Sequence, residues 1–211
     1  ANEQMVVVMT DTGYIKRIPL DEYRVQKRGG KGLKGAETRE EDFVTEIFVA
    51  NTHTMLLVFT NKGKLFWLKV HRLPLGNRTS KGKAIANVLS LSNTEKVRAI
   101  LPTDKFDEDR FVVMLTEKGI IKKTSLDAFS NPRPSGIIAL TTDLDDNVID
   151  AKLSNGKCDV FIATKEGMSI RFDEGDVRAM GRSARGVKGV TLGKEDIVVG
   201  MEILDKPSKA T

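Results

Sequence analysis

One short phrase returns four times along the chain: Val-Met-Thr-Asp-Thr-Gly at 8–13, Val-Phe-Thr-Asn-Lys-Gly at 58–63, Met-Leu-Thr-Glu-Lys-Gly at 114–119 and Ile-Ala-Thr-Lys-Glu-Gly at 162–167. The closing glycines, Gly13, Gly63, Gly119 and Gly167, are 50, 56 and 48 residues apart. Recurrence at this interval constrains the chain to a repeat architecture, in which similar units bury their apolar faces against one another. Each phrase reads as a hairpin. Short β-branched or aromatic runs, such as 6–9 with 14–18 and 56–59 with 64–68, flank a Thr-x-x-Gly turn whose glycine supplies the positive φ of a tight connection. Each repeat then has a glycine-containing stretch and a further apolar run, at 44–50, 97–101, 148–153 and 197–203. One unit is therefore about four strands, the strand count of a propeller blade. For any single copy, an ordinary turn recurring by chance is the competing explanation; four copies in the same relation to their flanks leave it little room.

The expected fold is all-β and propeller-like, with four four-stranded blades in a single domain over 1–211. The blades fall at about 5–53, 54–109, 110–159 and 160–204, with a tail at 205–211. Composition narrows the function. Cys158 is the only cysteine, which excludes an intramolecular disulfide framework, and His53 and His71 are too few for a metal cluster or a Ser/His/Asp or Cys/His catalytic set. The apolar runs fall far short of the ~18 residues of a membrane span, and residues 1–4 do not read as a signal peptide. A soluble cytoplasmic protein, without a membrane partner, is expected.

The net charge of +5 is moderate, but its distribution is uneven. Between the second and third strands, repeat 1 carries Arg24, Lys27, Arg28, Lys31 and Lys34, repeat 2 carries Arg72, Arg78, Lys81 and Lys83, and repeat 4 carries Arg178, Arg182, Arg185 and Lys188. Repeat 3 has only Arg133 there, opposed by Asp127 and stiffened by Pro132 and Pro134. Before the last strand the sign reverses, with Glu37, Glu40, Glu41 and Asp42, then Asp143, Asp145 and Asp146, then Glu195 and Asp196. In an up-and-down blade these two connections lie at opposite ends, so basic and acidic loops are expected on different sides. Lys16, Arg17, Lys122, Lys123 and Arg171 follow the hairpin turns, where alternation lets some of them face outward. Trp67, Phe66, Phe111 and Phe161 are expected in the core between blades, and Tyr14 and Tyr23 in packing roles.

The densest chemistry is Gln26-Lys27-Arg28-Gly29-Gly30-Lys31-Gly32, followed by Leu33-Lys34-Gly35. Glycines let a backbone approach a ligand closely and offer its N–H groups, while the cations between them supply charge for phosphates. A solvated glycine-rich loop is the bland alternative. Two nucleotide motifs fail. Gly30-Lys-Gly32-Leu-Lys-Gly35 matches Gly-x-Gly-x-x-Gly but follows no buried strand and has no βαβ unit around it, and Ala36-Glu37 stand where a P-loop needs Lys-Ser/Thr.

The Gln26–Gly32 heptad resembles the box of the DNA gyrase A subunit's C-terminal domain, Gln-Arg-Arg-Gly-Gly-Lys-Gly, with Lys27 in place of the first arginine. The opening Val-Val-Val-Met-Thr-Asp-Thr-Gly-Tyr-Ile-Lys-Arg, the repeated hairpins and Met180-Gly-Arg-Ser-Ala-Arg-Gly-Val-Lys-Gly189 extend the resemblance over essentially the whole chain. It implies a β-pinwheel, a propeller-like ring with strands exchanged between blades, that wraps double-stranded DNA around a basic perimeter and so gives directionality to supercoiling. It also implies partners, namely the gyrase B subunit and the rest of the gyrase A subunit. No catalytic residue and no cofactor is implied in this chain, ATP and Mg belonging to other domains of the parent enzyme. The implied DNA-binding residues are Gln26, Lys27, Arg28, Gly29, Gly30, Lys31 and Gly32 of the box, with Lys34 just after it. They continue through Arg78, Lys81, Lys83, Lys122, Lys123, Arg182, Arg185 and Lys188. The family has about six blades, against four repeats here. The alternatives are a protein-interaction propeller and the C-terminal domain of the topoisomerase IV A subunit, whose box is degenerate.

Overall fold

The computed structural model describes residues 1–28 and 42–207. Repeat 1 contributes β1 (Gln4–Thr10), β2 (Tyr14–Pro19), helix α1 (Leu20–Arg28) and β3 (Val44–Asn51). Repeat 2 contributes β4 (Met55–Thr60), β5 (Lys64–Lys69), the two-residue β6 (Lys83–Ala84), the short helix α2 (Ile85–Val88) and β7 (Val97–Thr103). Repeat 3 supplies β8 (Phe111–Thr116), β9 (Ile120–Ser125), β10 (Ile137–Ile138) and β11 (Val148–Ser154). Repeat 4 supplies β12 (Cys158–Thr164), β13 (Ser169–Asp173), β14 (Val187–Lys188) and β15 (Val198–Asp205).

The four Thr-x-x-Gly turns are built alike. The glycine N–H donates to the threonine carbonyl in every copy, at 3.0 to 3.1 Å. The threonine Oγ1 then accepts from the first amide beyond the turn, those of Tyr14, Lys64, Ile120 and Met168. Gly13, Gly63, Gly119 and Gly167 sit at φ between 79° and 89°, where a Cβ is disfavoured. Threonine and glycine recur because one supplies the side-chain acceptor and the other the left-handed conformation.

Sheet order departs from a simple meander. The orders are β3-β1-β2-β6, β10-β5-β4-β7, β11-β8-β9-β14 and β13-β12-β15. The last strand of each repeat lies beside its first, and the third strand crosses to the preceding repeat's hairpin: β6 pairs β2, β10 pairs β5 and β14 pairs β9. The exchange of strands implied by the resemblance is therefore observed, and the strand order is that of a β-pinwheel in place of the up-and-down blade from which the sides of the loops were argued. Among the described residues the fourth sheet has three strands, since β14 is given to the third and β13 takes no exchanged strand in return.

The first strand of each hairpin runs between two neighbours. In β1, β4 and β8 five consecutive residues are buried, so both faces are covered and the sequence is apolar without alternation. The chain forms two compact units, residues 1–56, 68–94 and 102–104 in one and 57–67, 95–101 and 105–211 in the other. In the first, Val6, Val8 and Ile18 pack with Leu20 and Tyr23. In the second, Val113, Leu115 and Ile121 of the third sheet pack with Val160, Ile162, Val198 and Met201 of the fourth. Each such side chain, when fully buried, stabilises by about 1.5–3 kcal/mol. Of the expected core aromatics, Phe66 is buried and Trp67, Phe111 and Phe161 are half-buried; Phe59 meets Phe129 edge-on at 6.5 Å. The Trp67 indole N–H donates to the Phe129 carbonyl at 2.8 Å.

Candidate nucleic-acid interface

Two rules of local structure decide where the charges go. The first concerns the acids before each last strand. Asp42 Oδ1 accepts from the Thr12 amide and Oδ2 from the Thr12 hydroxyl. Asp146 Oδ1 accepts from the amides of Lys118 and Asn147, and Asp196 Oδ1 from those of Glu166 and Ile197. Thr12, Lys118 and Glu166 hold the same position in the Thr-x-x-Gly turn. These aspartates pin the hairpin tips, and Asp146 and Asp196 are buried, so they do not contribute to the acidic face expected from the charge pattern. The hydrogen bonds from Thr12 hold the Asp42 carboxyl below its ordinary pKa. Asp145, outside this role, pairs with Lys118.

The second rule concerns the basic loops. Gln26, Lys27 and Arg28 end α1, a helix where the sequence pattern predicts a loop. Asp21 and Glu22 stand in its first turn, where acidic side chains suit the helix dipole. Gly29, Gly30, Lys31, Gly32 and Lys34 lie outside the described residues. In repeats 2 to 4 each loop runs from the second hairpin strand to the exchanged strand, and a glycine marks where it crosses the preceding repeat's backbone. A Cβ at Gly82 would stand 2.4 Å from the Ile15 carbonyl oxygen. At Gly136 the distance to that of Leu65 would be 2.8 Å, and at Gly186 to that of Ile121 2.6 Å. In repeats 2 and 4 an arginine precedes this glycine by four residues and a lysine or arginine by one, as Arg78-Thr-Ser-Lys81-Gly82 and Arg182-Ser-Ala-Arg185-Gly186. Arg28-Gly-Gly-Lys31-Gly32 has the same spacing. This shared pattern extends the box through the chain and was available in the sequence.

Arg78, Lys81, Lys83, Arg185 and Lys188 are exposed and Arg182 is half-buried; none forms an ion pair among the described residues. Two of them lie over aromatic rings, the Arg78 guanidinium 4.7 Å from the Tyr23 centroid and Lys81 Nζ 4.1 Å from that of Tyr14. Nothing in the sequence pattern marks this second role for the tyrosines. In repeat 3, Arg133 is exposed and stands alone in its loop.

Lys122 and Lys123, expected in the binding track, are both buried, and this corrects the sequence reading. Lys122 Nζ donates to the carbonyls of Ala139 and Arg182 at 2.9 and 2.8 Å, and burial lowers its pKa to about 8. Lys123 Nζ donates to the Glu174 carbonyl at 2.8 Å and stands 3.7 Å from the buried Glu174 carboxylate. That carboxylate also accepts from Ser154 Oγ and the Cys158 amide. Arg17 Nε donates to the Leu73 carbonyl, and Arg171 pairs with Asp159. Lys16 Nζ reaches the carbonyls of Asn77, Arg78 and Ser80 at 2.7, 3.2 and 2.7 Å. Strand alternation could not reveal this, because the exchanged strand covers the position from the side.

Among the described residues no three His, Cys, Asp or Glu side chains gather as metal ligands would, and no helix is long and apolar enough to cross a membrane. The family model of the DNA gyrase C-terminal domain, a beta-propeller, matches residues 4–51, 54–104, 110–155 and 159–205. The DNA gyrase A subunit of Haloquadratum walsbyi is 43% identical over 209 residues, covering 97% of this chain and 24% of that protein. The chain thus spans about a quarter of the length of the gyrase A subunits it matches. Among solved structures, the C-terminal domain of DNA topoisomerase IV superposes with a TM-score of 0.83 at 29% identity, covering 98% of this chain and 62% of that one. The DNA gyrase A C-terminal domain superposes at 0.71 and 26% identity, covering 95% and 65%.

Proposed function

The chain belongs to the DNA gyrase C-terminal domain family, and on that premise we propose that it binds duplex DNA without catalysis and wraps it along the basic loops of its repeats. The observation that carries this is the recurrence of Arg-x-x-Lys/Arg-Gly at 28–32, 78–82 and 182–186, with the described cations of the last two free of carboxylates. Cations carried on loops contact phosphates and read little sequence. Neutralised phosphates release counterions and favour bending toward the protein, whereas bending a 20–30 bp site by 40–90° costs on the order of 1–6 kcal/mol. Several loops acting together offset that cost better than one.

In this reading the bent duplex is presented to the cleavage gate of a gyrase, whose B subunit, other A-chain domains, ATP and Mg lie outside this chain. The domain itself needs no cofactor and works in the bacterial cytoplasm. The higher TM-score against a topoisomerase IV domain favours a second reading, as the C-terminal domain of that enzyme's A subunit. The near-intact heptad at 26–32 and the 43% identity to a gyrase A subunit favour the first. A salt titration tests duplex binding: replacing Arg78, Lys81, Arg182 and Arg185 by alanine is expected to lower the slope of log K against log salt by about 0.9 for each phosphate no longer neutralised. An unchanged slope in the folded variant would remove the loops from the interface. A shift in the linking number of relaxed, ligated plasmid would report chiral wrapping, and no shift would reduce the reading to binding alone.

A further inference from the structure

The cations at 78–81 stand on a loop held in one conformation from several directions. Asn77 Oδ1 accepts from the Thr79 amide and hydroxyl and from the Ser80 amide, at 2.8 to 2.9 Å. Ser80 Oγ accepts from the Asn77 amide and donates to the Asn77 carbonyl. These bonds leave the carbonyls of Asn77, Arg78 and Ser80 converging on one point, and Lys16 Nζ occupies it. An ammonium has three protons to donate, and here three carbonyls receive them. Lys16 therefore spends its hydrogen-bonding capacity on the loop and not on a ligand.

The position of this lysine recurs selectively. Lys16 is the third residue after Gly13, and Lys122, the third after Gly119, donates to the Arg182 carbonyl in the loop of repeat 4. Between them, the third residue after Gly63 is Phe66, and the loop it faces is the proline-stiffened segment with Arg133 alone, where a Cβ at Gly136 would meet the Phe66 ring at 2.9 Å. A lysine is found beneath the two described loops that carry Arg-x-x-Lys/Arg-Gly, and an aromatic ring beneath the one that does not.

We propose that Lys16 and Lys122 are positioning residues for duplex binding: Lys16 gathers three backbone carbonyls of the next repeat's basic loop, and Lys122 ties the Arg182 carbonyl of the next repeat's loop to that of Ala139, fixing the turn from which Arg78 and Lys81, or Arg182 and Arg185, meet phosphates. The inference rests on the duplex-binding reading for its purpose and on the carbonyl geometry for its mechanism. Tyr14 and Tyr23 complete the arrangement in repeat 2 by holding the Lys81 and Arg78 side chains over their rings.

The test is a coupling experiment on the 211-residue chain, with a mixed-sequence duplex of roughly 30 bp. Lys16→Met is expected to lower the salt slope by about 1.8, the contribution of two neutralised phosphates, although it removes one charge. In the Arg78→Ala/Lys81→Ala background the same change is expected to do nothing further. A drop of about 0.9 in both backgrounds would make Lys16 an independent phosphate ligand and overturn the proposal. Amide exchange is read in parallel without DNA: the Asn77, Thr79 and Ser80 amides are expected to exchange faster in Lys16→Met, and unchanged exchange would also overturn it. If the unaltered chain fails to bind duplex, the functional reading falls while the exchange data still decide the clamp. Should Lys16→Met fail to fold, Lys16→Gln, which keeps one donating amide, is read by the same criteria.

Discussion

Lys122 illustrates how little a residue's type says about its task. It is fully buried, its charge faces two carbonyls, and desolvation lowers its pKa to about 8 from an ordinary 10.5. Below pH 8 both folded and unfolded chains carry the proton, and the desolvation penalty is constant. Between pH 8 and about 10.4 the unfolded chain binds more protons than the folded one, so this residue's contribution to stability rises with pH. Relative to Lys122→Met, the unaltered chain should gain on the order of 2–3 kcal/mol of unfolding free energy across that window. Denaturant titrations of the two proteins at pH 7, 8, 9 and 10 measure it, and a constant difference across the series would mean that the ammonium is not desolvated as the structure indicates. The sequence allowed Lys122 and Lys123 to point outward in turn, yet both are buried. Alternation assigns opposite faces to neighbours but does not tell whether both faces are covered, and in β9, between β8 and β14, four consecutive residues are buried.

At the scale of the element, the hairpins and outer strands were legible in the residue pattern, whereas strand exchange entered only through the family resemblance and the positions of the exchanged strands were not legible. A Thr-x-x-Gly turn between apolar runs has one reading because its threonine and glycine each satisfy a specific backbone need. A two-residue strand such as β14 has no period to detect, and its partner, residues 120 and 121, lies more than sixty residues earlier. Helix α1 was also hidden: its charged sequence resembles a solvated loop, and among its described side chains Leu20 and Tyr23 pack against the core. What fixes an exchanged strand is the glycine ahead of it. Gly186→Ala would press a Cβ against the Ile121 carbonyl, 2.6 Å away, so β14 must shift off β9. A loss of about 1–3 kcal/mol of stability is expected, in line with overpacking at other closely packed sites. Gly181→Ala, whose Cβ meets nothing within 4 Å, should leave stability within about 0.5 kcal/mol of the unaltered chain. Thermal unfolding of the pair checks this, and equal losses would show that the crossing is not tight in solution.

Over the whole molecule, the charge on the loops ranks the repeats. Two described loops carry arginine and lysine or arginine at fixed spacing; the third carries Arg133 between prolines. Arg133→Ala should therefore change duplex affinity less than Arg185→Ala, and footprinting should give the weakest protection where the third loop contributes. Equal costs would move the DNA path away from the loops altogether. The exchange of strands has a further consequence, for heredity more than for binding. Because β6, β10 and β14 complete the sheets of the repeats before them, the stretch of sequence that repeats as one unit is not the body that folds as one blade. A recombination event that deletes or transplants a repeat along its sequence boundary leaves one hairpin intact but gives its neighbour a new outer strand and a new set of cations. Charge and scaffold at each position thus belong to different repeats, and the cations carried beside one hairpin can change without a single substitution in that hairpin.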